Sequence, residues 1–393
     1  MSLRGTAGPI RTVATFSVAL GLTETFLRDV ASRASTTNYR SVDAPIKSDG
    51  LPRRVYNPAR DVRLVQSRIA NRFFKNPAVI KWPAHIFGGI HKKALPAGDS
   101  RDHVACAAKH CGAHSLLKLD IRNFFDNVTH EIIVETMTRQ LAWSRSPAVL
   151  LADLCTREGV LPQGGITSSY LALISIYDIE SKLVRNLECK GLTYTRYVDD
   201  ITISSKVASF DYAPIVRMVD NLLLSKGLSI NEAKTSARIS GLEPLVVHGL
   251  NVANRSPVLP KAEVRRIKRV GRQTILDAQE EGRRSHGFRR RYYRSMGLIN
   301  KLSRVGSASH ASSLEKLKAV SPLPSFDDYK ISTNVAHKLR ADYDIKKSGV
   351  WYWRKFNVLM ARLDLIGAEN PRWAKTLRRY MRQHYRPEFK RPK

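Results

Sequence analysis

The run LTYTRYVDDITISS, residues 192–205, decides how the rest of this chain is read. Apolar and polar residues alternate on both sides of a central Asp-Asp, with Thr, Ile, Val and Tyr prominent. That pattern predicts two short strands joined by a tight turn, and Asp-Asp suits the turn conformation. Asp199 and Asp200, adjacent at a hairpin tip, repel each other. The arrangement is poor for stability and good for holding a divalent cation. Acids that only shape a turn are the ordinary alternative, and the surrounding chain decides between the two.

Upstream, SLLKLDIRNFFDNV (residues 115–128) predicts a mostly apolar strand through Leu116, Leu117, Leu119 and Ile121, with Asp120 at its end. A lone charge there is costly unless it is paired or metal-bound; a buried salt bridge is the competing explanation. Carboxylates from two neighbouring strands can hold two Mg²⁺ ions about 3.5–4 Å apart. Mg²⁺ takes few carboxylates and keeps places for phosphate oxygens. The implied reaction is nucleotidyl transfer.

Between the acids, LPQGGITSSYLALISIYDIESKL (residues 161–183) predicts a loop whose Gly pair lets backbone approach a ligand, then one long helix. After the hairpin come a helix around 211–226, then a strand, turn and strand at 227–240 with Lys234 near the turn. A single short strand is expected around Gly249. Before the acids, residues 20–33 predict a helix with Thr23 as N-cap and Glu24 in its first turn. Residues 38–58 predict a hairpin turning at Ser48-Asp49-Gly50, with Arg53 and Arg54 on its second strand. That is either a basic arm over a triphosphate or a solvated edge strand. Val62, Val65, Ile69 and Phe73 mark an amphipathic helix. Residues 81–95 read as loop, and 101–111 as helix. The cluster His103, Cys106, His110, Cys111 and His114 has zinc-capable residue types without finger or ribbon spacing.

The 393 residues carry a formal net charge of +32. Self-repulsion of that size calls for a polyphosphate partner, with a membrane surface as the plain alternative. No apolar run is long enough to span a bilayer. The opening 22 residues have too short and broken an apolar part to read as a signal peptide. Four cysteines form no disulfide-like framework, which suits a reducing cytosol. From about residue 257 the chain is helical in pattern and densely basic. Arg265, Arg266, Arg269, Arg289, Arg290 and Arg291 stand there with Phe288, Tyr292 and Tyr293 interleaved. That composition suits a surface tracking a nucleic-acid backbone; an ordinary solvated face would carry both signs. Residues 307–325 read as a linker with one helix. Trp351, Trp353 and Trp373 predict a small helical module with its own core. There is no internal repeat, P-loop or Gly-x-Ser-x-Gly pattern.

In this order, LKLDIRNFF, LPQGGITSS, YTRYVDD, GLSINEAKT and VVHGL resemble the palm motifs of reverse transcriptases over roughly residues 20–305. The likeness is greatest to the bacterial retron and defence-associated group, whose box reads YTRYADDLTFS. CAAKH at 106–110 stands where retron enzymes carry Asn-Ala-x-x-His: Ala107 and His110 match, Cys106 departs. Val247-His248-Gly249 stands where they carry Val-Thr-Gly and departs at His248.

The resemblance implies an α+β right-hand polymerase. It implies N-terminal helix and fingers at 1–115, and palm at 116–253 with a fingers segment at about 129–160. A basic helical thumb at 254–318 and a C-terminal helical extension and basic tail at 319–393 complete it. It implies RNA-directed DNA synthesis with two Mg²⁺ ions, Mn²⁺ being a substitute. Asp120, Asp199 and Asp200 would hold metal, with the Ile121 carbonyl beside them. Phe125 would exclude a ribose 2′-hydroxyl, while Phe124 belongs to the core. Gln163 and Gly164 would contact the dNTP, Arg54 with Arg53 would grip its triphosphate, and Lys234 would neutralise pyrophosphate. Tyr197, His110, Gly249, Tyr292 and the thumb arginines would meet primer and template. The expected partners are dNTPs, a structured non-coding RNA, its cDNA and an effector protein, in the bacterial cytoplasm, with a role in anti-phage defence. Other bacterial defence, group II intron and diversity-generating reverse transcriptases are the alternatives, with a non-catalytic RNA-binding module as the alternative of another class. Gln163 argues against the diversity-generating type.

Overall fold

A computed structural model describes residues 3–43 and 54–389. The chain divides into two compact units at Val258/Leu259. Among the described residues the first holds nine strands: β1 Tyr39–Val42, β2 Val55–Pro58, β3 Ile86–Phe87, β4 Ser115–Asp120, β5 Thr193–Tyr197, β6 Asp200–Ser205, β7 Ser236–Ile239, β8 Val246–Val247 and β9 Leu250–Asn251. The central sheet runs β3-β5-β6-β4-β7. All its pairings are antiparallel except the parallel β3–β5 edge.

Strand alternation explains why this sheet has one apolar and one polar face. Leu117, Leu119, Ile201 and Ile203 go to one side, joining a core that includes Leu183, Val219 and Leu223 of the helices Tyr177–Cys189 and Ala213–Leu224. Lys118, Asp120, Asp200, Thr202, Ser204, Thr195 and Tyr197 share the other face, matched by the β4–β6 and β5–β6 registers. The 20–33 helix forms as Glu24–Ser32, with the Thr23 side chain capping the Phe26 N–H. Val62, Val65, Ile69 and Phe73 are buried as expected, the last beyond the helix Arg60–Ile69 in a π-helical turn, Ala70–Phe74.

Several expectations are corrected. Residues 81–95 are not all loop, because β3 pairs with β5. The helix after the Gly pair breaks at Ile176, into Ser168–Ser175 and Tyr177–Cys189. The strand expected before Lys234 is a single bridge, Ile121 to Ile230, and Lys234 ends a short 3-10 turn, Glu232–Lys234. The strand around Gly249 is a hairpin, β8–β9, turning at His248-Gly249. The N-terminal segment carries its own helix, Val13–Leu20. The 38–58 hairpin pairs as β1–β2, but its Ser48-Asp49-Gly50 turn lies outside the described residues.

The second unit begins with two long helices, Lys261–Glu280 and His286–Arg304. The segment read as a linker contains the helix Ser309–Lys318, whose Leu317 is buried with Ile267, Phe288, Ile299 and Leu302. The C-terminal module, chiefly Phe326–Ala341, Val350–Ile366 and Pro371–His384, has its own core. That core is built on Tyr352, Phe356, Leu359 and Leu363 rather than on the tryptophans; Trp351 is exposed and Trp373 half-buried. All four cysteines are free thiols, with Cys106 and Cys155 buried, Cys111 half-buried and Cys189 exposed.

Candidate active site

Tyr197 pairs with Asp200, so the hairpin turn is Val198-Asp199 rather than Asp-Asp. Val198 carries the strain at φ 61, a rare conformation for a β-branched residue. Two contacts hold it. Its N–H donates to the Phe87 carbonyl at 3.2 Å, and its carbonyl accepts from Arg196 at 2.9 Å. Arg196 is fully buried, bonded also to both carboxylate oxygens of Glu180 at 2.6 and 2.8 Å. Tyr194 donates to the same carboxylate at 2.8 Å. Burial alone would raise the Glu180 carboxyl; the Arg196 charge and hydrogen bonds, with His85 nearby, outweigh it and hold the carboxyl below its ordinary range.

The turn brings the acids together. Asp120 and Asp200 are register partners across β4–β6, and the Ile121 N–H donates to the Asp199 carbonyl at 3.1 Å. Burial, then repulsion from Asp200, pushes the Asp199 carboxyl up to about 6. Burial and Asp120 raise Asp200 in the same sense. Lys234 Nζ sits 2.9 Å from Asp120 Oδ1, and that hydrogen bond raises the Lys234 ammonium. Lys234 is thus placed on the carboxylate itself. Asp199 and Asp200 fit a divalent cation, because a cation offsets the burial and repulsion that raise their carboxyls. Among the described residues no group of three or more His, Cys, Asp or Glu side chains is arranged to hold a metal ion by itself.

Nearby, Phe124 is core and Phe125 half-buried, five residues beyond Asp120. Gln163 and Gly164 are locked to the β1–β2 hairpin: the Tyr56 N–H donates to the Gln163 carbonyl at 2.8 Å. A Cβ on Gly164, at φ 110, would lie 2.1 Å from the Tyr56 carbonyl oxygen. What this glycine admits is therefore protein backbone. Buried Gln66 supports the loop, accepting from the Ile166 N–H at 2.9 Å and donating to Tyr39 Oη at 2.8 Å. Arg54 is exposed just before β2, and Arg53 lies outside the described residues. Gly249 is exposed in its turn.

Five residues expected at nucleic acid are buried or paired within the protein. His110 is buried between Thr195 and Ser204, at 2.7 Å from each hydroxyl. Neither it nor Cys106 is drawn into a metal cluster among the described residues. Tyr292 is buried in the helical core of its own unit, as is Phe288. Arg289 is tied to Asp328 at 2.6 Å. Arg291 bonds Asp277 at 2.8 Å and also pairs with Glu281. Arg266 pairs more openly, with Glu263. Arg265, Arg269 and Arg290 are exposed and make no ion pair among the described residues. Sequence reasoning missed Arg196, Glu180 and Gln66. The one available signal was a charged residue at an inward-facing position of β5.

An α+β palm presenting carboxylates from two adjacent strands, joined to basic helices, defines a right-hand polymerase. The family model for "Reverse transcriptase (RNA-dependent DNA polymerase)" matches residues 47–272. The chain is 35% identical to the Retron Ec48 reverse transcriptase of Escherichia coli over 363 residues, 91% of this chain and 88% of that one. It is 27% identical to the Retron Se72 reverse transcriptase of Salmonella heidelberg over 383 residues, 94% and 95% of the two chains. The chain belongs to the reverse transcriptase family, among its retron-type bacterial members, and is an RNA-directed DNA polymerase. Enzymes of this family generally use divalent metal ions.

Proposed function

We propose that the enzyme adds dNTPs to a primer 3′-hydroxyl on a structured cognate RNA, with two Mg²⁺ ions held by Asp120, Asp199 and Asp200. The observation that carries this reading is the register pairing of Asp120 with Asp200 beside Asp199 in the turn. When bound, such ions supply charge stabilisation for the nucleophile and the leaving pyrophosphate. The chain's own groups do the rest. Arg54, with Arg53, grips the triphosphate in bidentate fashion. Gln163 and Gly164 line the nucleotide, Phe125 excludes a 2′-hydroxyl, and Tyr197 lies by the primer terminus. Lys234, 2.9 Å from Asp120, protonates or neutralises the leaving pyrophosphate. Exposed Arg265, Arg269 and Arg290 meet the RNA backbone, and Gly249 lies on the primer side.

In the cell this reading is a retron role: the RNA serves as template and primer, an effector protein is a further partner, the compartment is the cytoplasm, and the outcome is anti-phage defence. No helix among the described residues is long and apolar enough to cross a membrane. The test is primer extension with Mg²⁺ on RNA by the wild type and by Asp199→Ala/Asp200→Ala. Extension by the wild type alone is expected. An equally active double variant, or an inert wild type, would leave only an RNA-binding scaffold.

A further inference from the structure

A run of polar contacts beside Tyr197 has no part in the steps above. His248 and Gly249 form the β8–β9 turn at φ 48 and φ 80. Two positive φ values are type I′ geometry, where Asn-Gly is the usual choice. A histidine in that place spends backbone conformation on something other than the turn, and its ring shows what. It lies against the Tyr197 ring, centroids 4.6 Å apart and planes tilted by 47°. Its Nε2 is 3.4 Å from Cys106 Sγ.

The contacts continue. Cys106 Sγ is 3.3 Å from Thr195 Oγ1. That oxygen is 2.7 Å from His110 Nε2, and His110 Nδ1 is 2.7 Å from Ser204 Oγ. Thr195 and Ser204 belong to β5 and β6, the two strands of the catalytic hairpin. Burial holds both histidines below their ordinary range, His110 at about 3 and His248 at about 4, so both rings are neutral. A neutral imidazole, a thiol and a hydroxyl each donate once. With Cys106 donating to Thr195, a run of single donors goes from His248 through Cys106, Thr195 and His110 to Ser204, and each bond depends on its neighbours. Cys106 and His248 both depart from the retron pattern, as Val198 does, and the fold sets these two against each other.

We propose that Cys106 and His248 act as one unit of positioning residues, seating the Tyr197 ring and through it the primer terminus. The proposal rests on the reading of Tyr197 as a primer-side residue. The pair touches no reacting atom; it fixes a side chain that does. His248 bears on the ring directly, and Cys106 fixes the orientation of His248.

The experiment uses the full chain, a DNA primer annealed to an RNA template, dNTPs and Mg²⁺. It reads kcat, the KM for primer–template and the KM for dNTP, with melting curves for each variant. Cys106→Ala and His248→Asn are compared singly and together; Asn keeps the turn and removes the ring. Each single variant is expected to raise the primer–template KM about three- to tenfold, the range an aromatic contact supports, and to leave the dNTP KM in place. The double variant is expected to lose no more than the worse single. Cys106→Ser keeps a donor and an acceptor and is expected to recover most of the loss. Multiplying losses, equal changes in both KM values, or no change at all overturn the proposal. Tyr197→Ala separates the two ideas: an unchanged primer–template KM removes Tyr197 from the primer site. A raised KM alongside independent Cys106 and His248 effects removes only the pair.

Discussion

Arg196 is a buried cation whose guanidinium reaches Glu180 and the carbonyls of Leu173 and Val198. A buried ion pair adds little net stability, but breaking one side leaves an uncompensated charge at about 3–5 kcal/mol. Arg196→Met is expected to destabilise by that amount in urea melts, and Glu180→Leu in the same chain to restore much of it. Primer extension should stay depressed in both, because the Val198 carbonyl has lost its donor either way. The two readouts divide what the pair does for folding from what it does for the turn. A second expectation concerns His110 and His248, both held neutral by burial, with folded values of about 3 and about 4. The unfolded chain binds their protons below about pH 6.5, so unfolding takes up protons and stability falls as pH falls. Above the unfolded value their contribution is complete; it is lost between there and the folded values. The slope is about 1.4 kcal/mol per pH unit for each histidine inside that window. Denaturant melts from pH 7 to pH 5 check it, and His110→Gln should flatten the curve.

Among the elements, the joint between the Gln163-Gly164 loop and β2 is the most exacting. Gly164→Ala forces a Cβ onto a backbone oxygen, which cannot swing aside as a flexible side chain would. We expect a loss of about 2–4 kcal/mol and a raised dNTP KM; an unshifted melt would mean that the hairpin is not seated there. The β5–β6 hairpin, the strand ending in Asp120 and the Thr23 cap were legible because each is written in a few adjacent residues. What distant segments decide together was not. β3 is two residues long and exists because β5, more than a hundred positions later, offers it an edge. The close approach of Tyr56 to Gly164 was not legible because Tyr56 comes from another part of the chain. His110 looked like a nucleic-acid contact because nothing local shows the hydroxyls of Thr195 and Ser204 around it. The tryptophans suggested a core that Tyr352 and Phe356 make instead, since helical phase, not residue size, decides which side chains turn inward.

For the molecule as a whole, the formal charge of +32 overstates what reaches a phosphate. Arg289 and Arg284 are engaged with Asp328 and Glu369, tying the basic helices to the C-terminal module within the second unit. Their partners feel it: burial would raise the Asp328 carboxyl, yet Arg289 and Ser325 hold it at about 2. RNA affinity should therefore divide by arginine. Replacing Arg265, Arg269 or Arg290 by Ala should weaken binding on every sequence and reduce the salt slope by about 0.7–0.9 each. Arg289→Ala should cost stability and leave the slope nearly unchanged. Filter binding across a salt series, paired with melts, tells these apart. The thiols lend themselves to a different use. Burial pushes Cys106 up to about 11 and Cys155 up to about 12, which keeps both unreactive as nucleophiles. A maleimide dye offered to the native enzyme should therefore attach first at exposed Cys189. That residue ends the helix leading into β5, whose five residues alone put about 17 Å of strand between it and the strained turn. A fluorophore there would ride on the β5–β6 hairpin without entering it, a natural handle for watching single molecules of this polymerase copy RNA.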